Sequence, residues 1–106
     1  MRLVDLYLPA QEGGDLRRVA ALTRHLNARL LDFGPGGPEV VSFDEGLGLV
    51  TARFPGQDAA AVVRKLYEKC GVRVAEEAGC ALFYLKESTR FEDLDYVWGC
   101  LFDLLV

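Results

Sequence analysis

The spacing of apolar residues changes several times along this chain, and each change marks an element. Residues 2–8, RLVDLYL, place Val4, Leu6 and Leu8 on one side and Leu3, Asp5 and Tyr7 on the other. That period of two predicts a strand with one wet face. Pro9 ends it, and Gln11 to Gly14 form a polar turn. Asp15 then offers a carboxylate to the free N–H groups of a first helical turn. Leu16, Val19, Leu22 or Thr23, Leu26 and Leu30 follow at helical spacing, with Arg17, Arg18, Arg24 and Arg29 on other faces. The run Gly34-Pro35-Gly36-Gly37-Pro38 stops this helix. It fits neither phosphate-loop spacing, and its two prolines remove amide donors, so it reads as a connecting loop.

Residues 39–43 and 47–54 predict a hairpin around Asp44-Glu45-Gly46, with Gly46 in the left-handed position of a three-residue loop. The stretch Gln57 to Leu85 is the unit on which the rest packs. Asp58 caps a helix whose apolar stripe is Ala59, Val62, Val63, Leu66, Tyr67 and Cys70. Gly71 stands where a helix ends left-handed. Strands 72–76 and 80–85 flank a turn at Glu77-Ala78-Gly79. Thr89 and Glu92 have capping-box spacing ahead of a last helix. Phe91, Leu94, Val97 or Trp98, Leu101 or Phe102, and Leu105 point inward there, and Trp98, Phe102 and Val106 widen the stripe. That width suits deep burial or contact with another subunit.

The order is β-α-β-β-α-β-β-α over residues 1–106, read as one domain. The expected fold is α+β, a two-layer sandwich with a mostly antiparallel sheet and helices on one face. The first six elements match the order of a split βαβ, ferredoxin-like layout. The other sheet face carries Leu or Tyr beside Thr and Arg, open to partial cover by something else.

Charge narrows the partners. Twelve Lys and Arg against sixteen Asp and Glu give −4, without the basic footprint that nucleic acid or an anionic membrane requires. The three cysteines, Cys70, Cys80 and Cys100, have no metal-ribbon or redox-motif spacing, and His25 is the one histidine. No window approaches the apolar length of a membrane span. Free thiols and the lack of a signal-peptide core lead to the expectation of a cytoplasmic protein.

Several stretches, in order, carry a resemblance. LRRVAALTRHLNARL (16–30) resembles the helix leading into the small C-terminal domain of fold type I, class V-like, pyridoxal-phosphate-dependent aminotransferases. VVSF and DAAAVVRKLYEKCGVRV are similar to that domain's strand, helix and Gly-stopped run, and ESTRFEDLDYVWGCL to its closing segment. The resemblance implies the fold of a small domain, over roughly residues 15–105. It carries over no catalytic residue. The large domain that holds the cofactor in the family has no counterpart here. Lys65 and Lys69 lie on a wet helix face and Lys86 sits beside Glu87, and none suits a Schiff base. The strand before the last helix, Ala81 to Leu85, lacks the arginine that often grips the substrate carboxylate. Arg73 and Arg90 are near in sequence but stand elsewhere.

The residues assemble no catalytic set, no metal set and no cofactor site. His25 has only Arg29 and Ala21 as polar or small neighbours on its own helix, so a boundary histidine is expected. Cys80 lacks a base, while Cys70 and Cys100 fall in apolar stripes. Phe91, Trp98 and Phe102 read as core aromatics. Asp93 and Asp95, two apart, face different sides of a helix and do not make an ion site. The expectation is a non-catalytic freestanding small domain that self-associates or docks on a larger partner, including as the detached part of a split enzyme. The alternative is a small-molecule (amino-acid) sensing module, with the loop 34–38 and Arg53 or Arg73 as the places for a ligand.

Overall fold

The computed structural model describes residues 3–9 and 14–105. Arg2, most of the turn predicted at 11–14, and Val106 lie outside them. The elements are β1 (Val4–Leu6), α1 (Leu16–Leu31), β2 (Glu39–Asp44), β3 (Leu49–Arg53), α2 (Ala59–Cys70), β4 (Val72–Glu77), β5 (Cys80–Tyr84) and α3 (Phe91–Leu105). This is the expected α+β order.

The helix ends follow from their caps. The Asp15 carboxylate accepts from the N–H groups of Arg17 and Arg18, and Asp58 from that of Ala60. Gly71, at φ +71°, closes α2 and donates back to its last turn. The last helix is capped one residue later than its sequence suggests. Asp93, not Glu92, reaches back to the Arg90 N–H at 3.1 Å. Thr89 is buried, and its hydroxyl accepts instead from the Lys86 N–H at 3.2 Å.

The sheet runs β1-β4-β5-β3-β2, with β1 parallel to β4 and the other neighbours antiparallel. Strands β3 and β4 run the same way with β5 between them, joined through α2, which is a split βαβ unit. The ferredoxin-like expectation fails for the other half. β1 and β2 lie on opposite edges and run in opposite senses, because β5, returning from β4 through a tight turn, takes the place between β3 and β4 and leaves β1 the outer edge of β4.

Strand alternation sends Val4, Leu6, Val50, Ala52, Val72, Val74, Ala81 and Phe83 to the helix side, all buried. Leu22, Leu26 and Leu30 of α1, Val62 and Leu66 of α2, and Leu94, Val97 and Leu101 of α3 meet them in one core. Each such side chain contributes about 1.5–3 kcal/mol on leaving water. The predicted stripes overreach at their margins. Leu16 is 69% exposed in the first turn of α1, Tyr67 is 54% exposed, and Phe91 and Phe102 are also in water on one side. The outward sheet face holds half-buried Leu49, Thr51, Ala75, Leu82 and Tyr84 beside exposed Arg73.

The β2–β3 turn is longer than predicted. Asp44 Oδ1 accepts from the N–H groups of Gly46 and Leu47, an Asx turn that pulls the loop out to Gly48. The left-handed residue is therefore Gly48, at φ +64°, rather than Gly46. A Cβ on Gly48 would lie 2.6 Å from both the Leu85 carbonyl oxygen and Val19 Cγ1. The Gly48 carbonyl accepts from the Leu85 N–H at 2.7 Å.

Candidate functional site

The packing of α1 against α3 brings together groups that the sequence keeps far apart. His25 Nε2 lies 2.9 Å from Asp95 Oδ1, seventy residues along the chain. Asp95 also sits 3.3 Å from Arg29 Nε. That nitrogen is covered but not aligned for a hydrogen bond, so the contact is an ion pair alone. Arg29 continues to Asp32 at 3.7 Å and lies over the Trp98 ring at 4.3 Å from its centroid. His25 meets Phe91 edge-on at 5.2 Å, and Arg18 lies over the Phe91 ring at 5.6 Å from its centroid. Arg18 also ties α1 to the segment before α3, donating to the carbonyls of Glu87 at 2.7 Å and Thr89 at 2.8 Å.

This seam gives His25 the acidic partner that its own helix lacks. The pair orients the imidazole, but a general base also needs a group to deprotonate within reach. Phe91 meets the imidazole edge-on, and Arg29 shares its carboxylate partner. The arrangement locks two helices together.

At the C-terminal end of the seam, Phe33, Trp98 and Phe102 form an aromatic cluster. Trp98 stacks on Phe102 at 5.3 Å and meets Phe33 at 5.3 Å. The cluster is only half covered, with Phe102 41% exposed and neighbouring Leu31 more so. The Trp98 indole N–H is covered yet has no acceptor among the described residues. Such a donor costs about 1–3 kcal/mol. Beside it, Tyr96, Gly99, Cys100 and Asp103 line a shallow groove of about 430 Å³. Asp103 makes no hydrogen bond or ion pair among the described residues.

The remaining candidates are placed apart. Cys100 is buried, and its burial, then the adjoining Cys70 thiol, push its own thiol up to about 12, which keeps it protonated and unreactive at neutral pH. The Cys70 carbonyl accepts from the Tyr96 hydroxyl at 2.6 Å. Cys80 is half-buried, across from Glu77. Asp93 holds Arg90 through a 3.0 Å contact, so Asp93 and Asp95 serve different partners. Among the described residues no three His, Cys, Asp or Glu side chains group as a metal set. Lys65 and Lys69 are exposed on α2, and Lys86 Nζ lies 3.7 Å from the Asp5 carboxylate. Arg53 is matched by Glu39 at 2.6 Å. In the loop 34–38, Gly37 donates to the Gly34 carbonyl at 3.2 Å, and Gly37 and Pro38 are buried. Arg73 is exposed, lies over the Tyr7 ring at 4.9 Å, and has no acidic partner among the described residues.

Among the described residues no helix is long and apolar enough to cross a membrane. No protein-family model and no curated protein matches the chain.

Proposed function

We propose that this chain is a non-catalytic association module, a relative of the aminotransferase small domain that pairs with a second copy of itself through the outward face of α3. One observation carries this reading. Among the described residues, the half-covered Phe33–Trp98–Phe102 cluster holds a donor without an acceptor, the Trp98 indole, and lies beside an acceptor without a donor, the Asp103 carboxylate. A two-fold interface brings the same patch against itself, so a surface with both a surplus donor and a surplus acceptor is self-complementary. Turning the indole to an acceptor across that interface recovers the cost of its unpaired N–H. Aromatic residues around a single well-packed point are also the usual anchors of interfaces.

Light scattering over a concentration series tests this. The expected result is a concentration-dependent dimer that Phe102→Glu converts to a monomer with unchanged helix content. A monomer at every concentration removes self-association. In that case a pull-down with a separate aminotransferase-type large domain decides whether the same face docks in a split enzyme.

A second reading is a sensing module whose small-molecule ligand controls association. The observation that favours it is Arg73, an exposed guanidinium on an aromatic ring with no acidic partner among the described residues.

A further inference from the structure

Between α2 and the β1–β4 edge of the sheet lies a groove of about 380 Å³, lined by Tyr7, Val63, Arg64, Tyr67, Arg73 and Val74. It is a shallow groove, open to solvent along one side. Its charge is unbalanced for a local reason. Arg73 faces Asp5 in the β1–β4 register, so Asp5 is the natural counter-ion. Asp5 is committed elsewhere. One oxygen accepts from the Tyr7 N–H at 3.0 Å, and the other lies 3.7 Å from Lys86 Nζ. Arg64, the other cation of the groove, is offset by Glu68 at 3.5 Å. Among the described residues one positive charge is left over, on Arg73.

The shape of that charge matters. Its central carbon lies over the Tyr7 ring, 4.9 Å from the centroid, and the side chain is exposed. A guanidinium held on a ring in this way can still present N–H groups to a planar, two-oxygen acceptor. Around it, Val63 and Val74 supply an aliphatic floor, and Tyr7 and Tyr67 supply two aromatic rings that are 44% and 54% exposed. Large rings standing in water around one cation are the parts of a recognition site for an anion with an apolar body.

We propose that this groove binds a small monoanionic carboxylate with a flat apolar body, of the aryl carboxylate class. The carboxylate pairs with the Arg73 edge, and the body lies against Tyr7, Tyr67 and the two valines. A single uncompensated cation matches one negative charge, so a phosphate dianion leaves a charge unmatched. The inference rests on the sensing reading of function and supplies its ligand class and address.

The test titrates the full ¹⁵N-labelled chain with benzoate, with benzamide as the neutral isostere, and with inorganic phosphate. The expected result is saturable benzoate shifts at the amides of residues 63–67 and 73–74, with benzamide and phosphate weaker by about tenfold or more. Arg73→Gln, at an exposed position, should keep the rest of the spectrum and weaken benzoate by a similar factor. No saturable shift, equal binding of phosphate, or unaltered binding in Arg73→Gln would each overturn the proposal. Light scattering with saturating benzoate separates the two claims. An unchanged mass with intact groove binding upholds the site and ends the reading that the ligand controls association.

Discussion

The α1–α3 seam and the groove beside α2 are built from the same parts. Each sets an arginine on an aromatic ring, Arg29 over Trp98 at 4.3 Å and Arg73 over Tyr7 at 4.9 Å, with an aspartate at hand. In the seam, Asp95 serves Arg29 and His25 together. In the groove, Asp5 turns to Lys86 and leaves Arg73 without an acid among the described residues. The comparison teaches that an arginine on a ring is not in itself a site. What separates a fastening from an opening is where the nearby acid spends its oxygens.

The largest expected contrast is in the cores beneath. Leu26→Ala, under the seam, should cost about 2–5 kcal/mol by chemical denaturation, since its side chain is fully buried. Val63→Ala, half-buried at the groove, should cost well under half as much. Equal losses would mean that the groove is as tightly packed as the seam.

The next effect is the alkaline limb of stability. The Cys100 thiol loses its proton later in the fold than in the unfolded chain, its value raised from 9.0 to about 12 by burial and by Cys70. The unfolded chain therefore binds fewer protons in that window, and stability falls as pH rises from about 9 toward 12. Below that window this group's contribution is constant. Cys100→Ala should flatten the limb, as measured by urea midpoints across pH. An unchanged slope would assign the loss to other groups.

A smaller effect is expected at the seam's surface. The Asp95 side chain is 51% exposed, so a double-mutant cycle of His25→Ala and Asp95→Asn should give a coupling below about 1 kcal/mol, reduced by salt. A coupling of several kcal/mol would point to a use for the pair beyond joining two helices. The smallest effect belongs to the groove. Arg73→Gln should leave stability within about 0.5 kcal/mol of the parent, because among the described residues no ion pair or hydrogen bond is lost. A clear destabilisation would show that Arg73 is a structural cation like Arg29.

Local chemistry made much of the fold legible. Asp15, Asp58 and Gly71 mark helix ends because a cap acts within one turn, and the period of two in β3, β4 and β5 predicts which side chains face the helices. Competing local partners explain the near misses. Asp44 bonds Gly46 and Leu47 and moves the turn's strained position to Gly48, and Asp93 takes the cap that Glu92's spacing suggests. The strand order was not legible, since the element sequence leaves β1 free to join either edge. The candidate sites were least legible. His25 finds its acid on α3, and Asp5, opposite Arg73, is met by Lys86 from far along the chain. Neither choice leaves a mark in local spacing.

Gly48 decides where this chain can be opened for engineering. Its backbone passes against Leu85 and Val19 with no room for a side chain, and its carbonyl holds the end of β5. Splicing a tag or reporter into the turn at 45–48 would pry the hairpin away from α1 and release β5. At the other hairpin, Gly79 has no atom within 4 Å of an added Cβ, and Ala78 already tolerates φ +53°. A fusion, or a new pair of termini for a permuted chain, belongs at residues 78–79, where the insert points into solvent and both the seam and the groove stay whole.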